Sequence, residues 1–113
     1  MMSHEVRYLW FIRNSIDRLR SYTPRTKSAF MKNLAAQDGA VWRLQAIGDA
    51  ARNHLSDDLK KRHPEIDWRA IYGFRNIAAH DYAELDLNLT WEIVDRHLAP
   101  LHKVLEFELR GER

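Results

Sequence analysis

Residues 87–105 read Leu87-Asn88-Leu89-Thr90-Trp91-Glu92-Ile93-Val94-Asp95-Arg96-His97-Leu98-Ala99-Pro100-Leu101-His102-Lys103-Val104-Leu105. Within them Leu87, Trp91, Val94, Leu98, Leu101 and Leu105 recur at alternating steps of four and three. That spacing lays apolar side chains along one stripe of an α-helix. Asp86, just before the run, is suited to accept a hydrogen bond from a first-turn amide. Pro100 lies inside the run, lacks a backbone donor and is expected to bend the helix.

The same periodicity continues upstream. Ile66, Ala70, Phe74 and Ile77 mark one face of a segment from about Ile66 to Ala79. Before it, Val41, Leu44, Ile47, Ala51, Leu55 and Leu59 form a long, nearly continuous face. Ala46, Gly48, Ala50 and Ala51 there are small enough for a neighbouring helix to approach closely. Lys60-Lys61-Arg62-His63 puts positive charge at the C-terminal end of that helix, and Pro64 stops it. A short segment around Thr26 to Leu34 sets Phe30 and Leu34 one turn apart. The first segment carries Val6, Leu9, Ile12, Ile16 and Leu19 and runs into Pro24. Gly (4) and Pro (3) are few, and no strand-like alternation is bounded by turn residues. The pattern predicts an all-α, up-and-down bundle of four main helices plus a short one, with residues 1–113 forming a single domain.

Hydrophobic residues make up 45% of the chain, enough for a real core, and charged residues 30% with a mean hydropathy of -0.56 indicate a soluble surface. No apolar run approaches the ~20 residues needed to cross a bilayer. The N-terminal residues lack the pattern of a secretory signal, so the cytoplasm is the expected compartment. Cysteine is absent, which excludes disulfides, thiolate metal sites and Cys nucleophiles. A net charge of +2, with Lys and Arg scattered among acids, is compatible with an anionic partner without demanding one.

Chemistry concentrates in Gly73-Phe74-Arg75-Asn76-Ile77-Ala78-Ala79-His80-Asp81-Tyr82. On an α-helix Asn76 and His80 share a face, ~40° apart, whereas Arg75 and His80 are separated by ~140°. Arg75 and His80 therefore converge on one phosphate only through the length of the Arg side chain or through unwinding near His80. RNA cleaves itself without metal when its 2′-hydroxyl attacks the adjacent phosphate. A catalyst must then move two protons and neutralise the phosphorane. His carries protons near neutrality, with an ordinary pKa of ~6.5, and the Arg fork fits phosphate oxygens. One copy supplies one His and one Arg; a two-fold dimer with these segments near its axis supplies two of each. Spacing alone favours a plainer reading, in which Arg75 and His80 cap carbonyls or pair with acids such as Asp81 and Glu84.

Longer stretches shift that balance. Gln37-Asp38-Gly39-Ala40-Val41, Leu44-Gln45-Ala46-Ile47-Gly48-Asp49-Ala50-Ala51 and His63-Pro64-Glu65-Ile66-Asp67-Trp68-Arg69-Ala70-Ile71 resemble the HepT family of HEPN ribonucleases. Arg75 through Tyr82 matches that family's Arg-x-x-x-x-His-x-Tyr signature. Trp91-Glu92-Ile93-Val94 and Leu98-Ala99-Pro100-Leu101 resemble its last helix, and the likeness runs in order from about Ile16 to Leu105. Phe74 stands where Met is common, Asp49 where Glu is common, and Ala78-Ala79 is smaller than the usual aliphatic pair. The resemblance implies a homodimeric, metal-independent endoribonuclease that needs no cofactor and acts as the toxin of a toxin–antitoxin pair. Arg75 and His80 would be catalytic, with Asn76 as polar companion. It also implies a minimal nucleotidyltransferase as antitoxin, silencing the enzyme by transferring AMP to Tyr82. The alternative is a catalytically silent HEPN dimer that binds RNA or nucleotide, or partners a nucleotidyltransferase. Retention of both Arg75 and His80 favours the enzyme.

Other candidates rank lower. His97 and His102 are five apart, a poor spacing for two metal ligands on a helix. His4, His54 and His63 have no convergent partners in the sequence and read as surface or capping residues. Asp57-Asp58 and Lys60-Lys61-Arg62 read as a solvated helix end.

Overall fold

Ser3 opens the first helix, α1 (His4–Tyr22), by accepting a hydrogen bond from the Val6 amide at 3.1 Å. The apolar stripe read from the sequence is its inner face: Val6, Leu9, Ile12, Ile16 and Leu19 are all buried. In this computed structural model, which describes residues 2–77 and 86–112, every regular element is helical. Thr23, extended ahead of Pro24, ends α1 with its hydroxyl donating to the Leu19 carbonyl at 2.6 Å. Thr26 then caps the short α2 (Lys27–Met31), whose Phe30 is wholly buried. Leu34, expected to share that segment's inner face, is instead 74% exposed. Asn33 caps a new helix at that point, α3 (Leu34–His54), so Leu34 begins the next element on its outer side.

α3 is the central helix: α1, α2, the turn at Phe74–Asn76 and the helices on either side of that turn all pack on it. Its buried face comprises Ala36, Gln37, Ala40, Val41, Leu44, Ile47, Gly48, Ala50 and Ala51. A fully buried Leu or Ile stabilises by ~1.5–3 kcal/mol. The wholly enclosed Ile12, Ile16 and Leu19 of α1 and Leu44 and Ile47 of α3 belong to one core, which holds these two packed helices together. The long face expected to continue through Leu59 breaks at Leu55, which is extended. Ser56 accepts from the Leu59 amide and starts α4 (Asp57–Arg62), while its own amide donates to the Glu5 carboxylate at 2.8 Å. Asp57 and Asp58 in the first turn, and Lys60, Lys61 and Arg62 in the last, complement the dipole of this short helix.

Asp67 caps α5 (Trp68–Gly73), which tightens into a 3₁₀ turn at Phe74–Asn76. Asp86 caps α6 (Leu87–Arg96) by accepting from the Leu89 amide at 3.0 Å, as its position suggested. The apolar run at the C-terminal end is two helices and not one bent helix. His97 ends α6 and begins α7 (Leu98–Leu109), which puts Pro100 in the first turn of α7, where its missing amide costs least. Because the break uncouples the two stripes, Leu98, Leu101 and Leu105 are wholly buried. On α6, by contrast, Thr90 and Ile93 are buried, and Leu87, Trp91 and Val94 are half-buried.

α7 lies against α1 and α6, and its end is tied to the end of α4 by a polar cluster centred on His63 and Glu108. Glu108 accepts from Arg62 at 2.7 Å and bonds His63 Nε2 at 2.6 Å, while His63 Nδ1 meets Glu65 at 3.1 Å. His63 is thus buried rather than a surface residue, although its backbone does cap α4. Burial pushes the Glu108 carboxyl upward, but the hydrogen bonds from Arg62 and His63 outweigh it and hold the pKa below the ordinary value. A carboxyl lowered on folding stabilises the native state above its unfolded pKa of ~4.3 and loses that contribution as pH falls through the native value. Glu108→Gln is expected to lower Tm at pH 7 by roughly 4–8 °C, the shift that ~1 kcal/mol produces in a domain of this class. The gap from wild type should close below about pH 4. A gap unchanged in acid would show that the carboxylate charge is not what matters there.

Candidate active site

Arg75 is exposed and sits in the middle of the 3₁₀ turn, which packs on α3. Tightening begins at the cap, where the Phe74 amide is shared between the Ile71 and Tyr72 carbonyls. It continues with the Ile77 amide bonded to the Phe74 carbonyl at 3.2 Å. Buried Phe74, 2% exposed, anchors the turn in the core and leaves Arg75 pointing outward. At Arg75 and Asn76 the α-helix has thus given way to the tighter 3₁₀ form. Asn76 is described only as part of that turn's backbone. His80 and Tyr82 fall outside the described residues, as do Asp81 and Glu84.

The position of Arg75 depends on Gly48. A Cβ on Gly48 would stand 2.8 Å from the Ile71 carbonyl oxygen, 2.9 Å from the Arg75 amide nitrogen and 3.0 Å from the Phe74 Cβ. The first two of these are backbone atoms that cannot swing aside. The small-residue run in α3 is thus where the signature turn comes closest, and Gly48 is the point of contact.

Around Arg75, α3 contributes Trp42, Gln45, Ala46 and Asp49 to a groove of about 560 Å³. Trp42 is 60% exposed, with the Arg43 guanidinium 4.7 Å above its ring. None of these α3 side chains had been singled out for chemistry from the sequence. The available signal was that Trp42 lies off the Val41–Leu44–Ile47 stripe, an aromatic on a face that should be polar. An exposed guanidinium beside an exposed indole can engage a phosphate and a base together.

A second groove shares Ala46 and Asp49 with the first and is lined also by His4, Arg7, Tyr8, Phe11, Ala50 and His54. His4 and His54, expected to lack partners, meet at 2.8 Å, and the Tyr8 ring stacks on His54 with centroids 3.7 Å apart. Fifty residues separate the two His in sequence, so only the α1–α3 packing brings them together. His102 bonds Asp17 at 2.9 Å, and His97 is edge-on to Phe74. Among the described residues no group of three His, Cys, Asp or Glu is placed to hold a metal ion, and no helix is long and apolar enough to cross a membrane.

The chain is 32% identical over 95 residues to the "gamma-glutamylcyclotransferase and putative RNase" of Methanocaldococcus jannaschii, covering 83% of this chain and 42% of that protein. It is 28% identical over 95 residues to the "probable ribonuclease HepT" of Thermococcus cleftensis, covering 83% and 86% of the two chains. To the "mRNA nuclease HepT" of Shewanella oneidensis it is 35% identical over 63 residues, 56% of this chain and 41% of that one. No solved structure matches the chain. The family described as "Ribonuclease HepT-like" matches residues 12–107, from the middle of α1 to near the end of α7, so the chain belongs to the HepT-like ribonuclease family.

Proposed function

We propose that this chain is a metal-independent endoribonuclease, the toxin of a toxin–antitoxin pair, working as a homodimer. The observation that carries the reading is the exposed Arg75, fixed on a 3₁₀ turn against Gly48 within a family match that spans the whole signature. Arg75 binds the scissile phosphate and neutralises the charge that develops on it. His80 of one protomer takes the proton from the 2′-hydroxyl, and His80 of the other gives one to the leaving 5′-oxygen. The bond from the 2′-oxygen to phosphorus forms as the bond to the 5′-oxygen breaks, leaving a 2′,3′-cyclic phosphate. Asn76 is the polar companion that follows Arg75 in the site. Two His are needed and each chain brings one, which is the chemical argument for the dimer. Incubation of the purified protein with total cellular RNA tests the activity: wild type should degrade it and His80→Ala should not. Sedimentation at micromolar concentration should show a dimer, and a monomer alone would contradict the composite site.

Regulation is assigned to Tyr82, two residues beyond His80. An AMP group on its hydroxyl adds bulk and a negative phosphate that competes for Arg75 and repels RNA. A minimal nucleotidyltransferase with ATP is expected to raise the mass of the chain by one or more AMP units and abolish cleavage. Tyr82→Phe should escape both effects. If Tyr82→Phe is modified and silenced normally, the switch lies elsewhere while the nuclease reading survives.

A further inference from the structure

Next to the start of the signature turn, a groove of about 560 Å³ is lined by Arg52, Asp57, Lys60, Arg69, Tyr72 and Gly73. Its three cations come from three different helices, α3, α4 and α5, and converge only through packing. Arg52 and Arg69 are exposed, and neither is ion-paired with a described carboxylate. Lys60 is held more firmly, its ammonium 4.7 Å above the Tyr72 ring and 3.5 Å from the Arg52 carbonyl. Asp57 is the one acid on the rim, so the groove carries a net positive charge. Gly73 opens it further, since no atom comes within 4 Å of where a Cβ would stand.

The groove neighbours the candidate active site, since Arg52 on its wall lies one turn along α3 from Asp49 on the wall of the Arg75 groove. Gly73 on its wall precedes Arg75 by two residues, a backbone reach of at most ~7 Å. Along α3, Trp42, Gln45, Ala46, Asp49 and Arg52 follow one another at steps of three, one, three and three, so Arg52 continues the stripe of that helix which lines the Arg75 groove. A chain of negative charges whose scissile phosphate sat at Arg75 would meet the cationic groove within a step or two. Cations gathered around one groove suit a phosphodiester backbone read without regard to sequence.

We infer that the Arg52–Lys60–Arg69 groove is a phosphate-backbone subsite, which grips the single-stranded RNA on one side of the bond cleaved at Arg75. It rests on the ribonuclease reading for the identity of the ligand. It predicts that affinity and its salt dependence reside in Arg52 and Arg69, and that the chemical step does not.

The test separates the two. Binding of a short fluorescent single-stranded RNA with methylated 2′-hydroxyls, which cannot attack the phosphate, is followed by anisotropy across a salt series. Each lost phosphate contact should make the log–log slope shallower by ~0.7, so Arg52→Gln/Arg69→Gln should lose ~1.4 and bind roughly 25-fold more weakly near 0.1 M salt. Arg52→Lys/Arg69→Lys keeps the charges and should keep most of the slope. A dinucleotide, too short to reach the groove, should be cleaved by the Gln variant at the wild-type rate. Both Arg side chains are exposed, so an unchanged Tm confirms that the variants are folded. An unchanged slope in the Gln variant, or no binding by wild type, overturns the subsite; the former would leave the cations to an acidic protein partner. Wild type that binds with the expected slope yet leaves unmethylated RNA intact would sink the nuclease reading and leave the groove standing.

Discussion

His80→Ala is expected to slow RNA cleavage by ~10²–10⁴-fold, the usual worth of a positioned proton carrier. Arg75→Ala should cost ~10²–10³-fold, as does loss of one donor to a developing oxyanion. Arg75 is exposed on a turn whose anchorage comes from Phe74 and Gly48, so its truncation should leave Tm unchanged. The two losses should also respond differently to rescue. Arg75→Lys restores a charge without the planar fork and is expected to recover only part of the rate. Single-turnover rates with saturating enzyme distinguish this from weakened binding. If Arg75→Ala raised KM alone and left the single-turnover rate untouched, Arg75 would be a binding residue outside the chemistry.

Gly48→Ala is the second large effect, and two terms oppose each other in it. Ala gains ~0.8–1.0 kcal/mol of helix propensity over Gly inside α3. Against that, its Cβ would sit 2.8 Å from the Ile71 carbonyl oxygen and 2.9 Å from the Arg75 amide nitrogen. Overpacking of this kind typically costs ~1–3 kcal/mol. Net destabilisation should therefore be modest, of order 0–2 kcal/mol, with the strain relieved by moving the turn that carries Arg75. Displacement of a catalytic group by ~1 Å is enough to cost ~10²-fold in rate. A variant nearly as stable as wild type but far less active is the expected signature, measured by thermal melts beside single-turnover cleavage. Full activity in Gly48→Ala would mean that the turn can yield without moving Arg75.

Which features could be read from the chain follows from the range of the forces behind them. The inner stripe of α1 and the caps at Asp86 and before Pro24 depend on neighbours within a turn, and they were legible. The break at Leu55 was also local, signalled by Ser56-Asp57-Asp58, but Leu59 continued the apolar period across it and masked the cap. Leu34 misled in the same way, since a residue one turn from Phe30 can still belong to the next helix. The burial of His63 could not be read locally, because its partner Glu108 lies 45 residues away on α7. The His4–His54 contact is of the same kind. At the candidate site, Arg75 and the small residues of α3 were legible as separate features. That Gly48 is the particular contact for the Arg75 turn required the packed structure.

The central claim is that Arg75 and His80 cleave RNA through the 2′-hydroxyl without a metal. End-group analysis of a defined single-stranded RNA after incubation with wild type in excess EDTA tests it most directly. The account predicts undiminished cleavage that leaves a 2′,3′-cyclic phosphate on one fragment and a 5′-hydroxyl on the other. Activity lost in EDTA and restored by a divalent ion, or products ending in 3′-hydroxyl and 5′-phosphate, would contradict it.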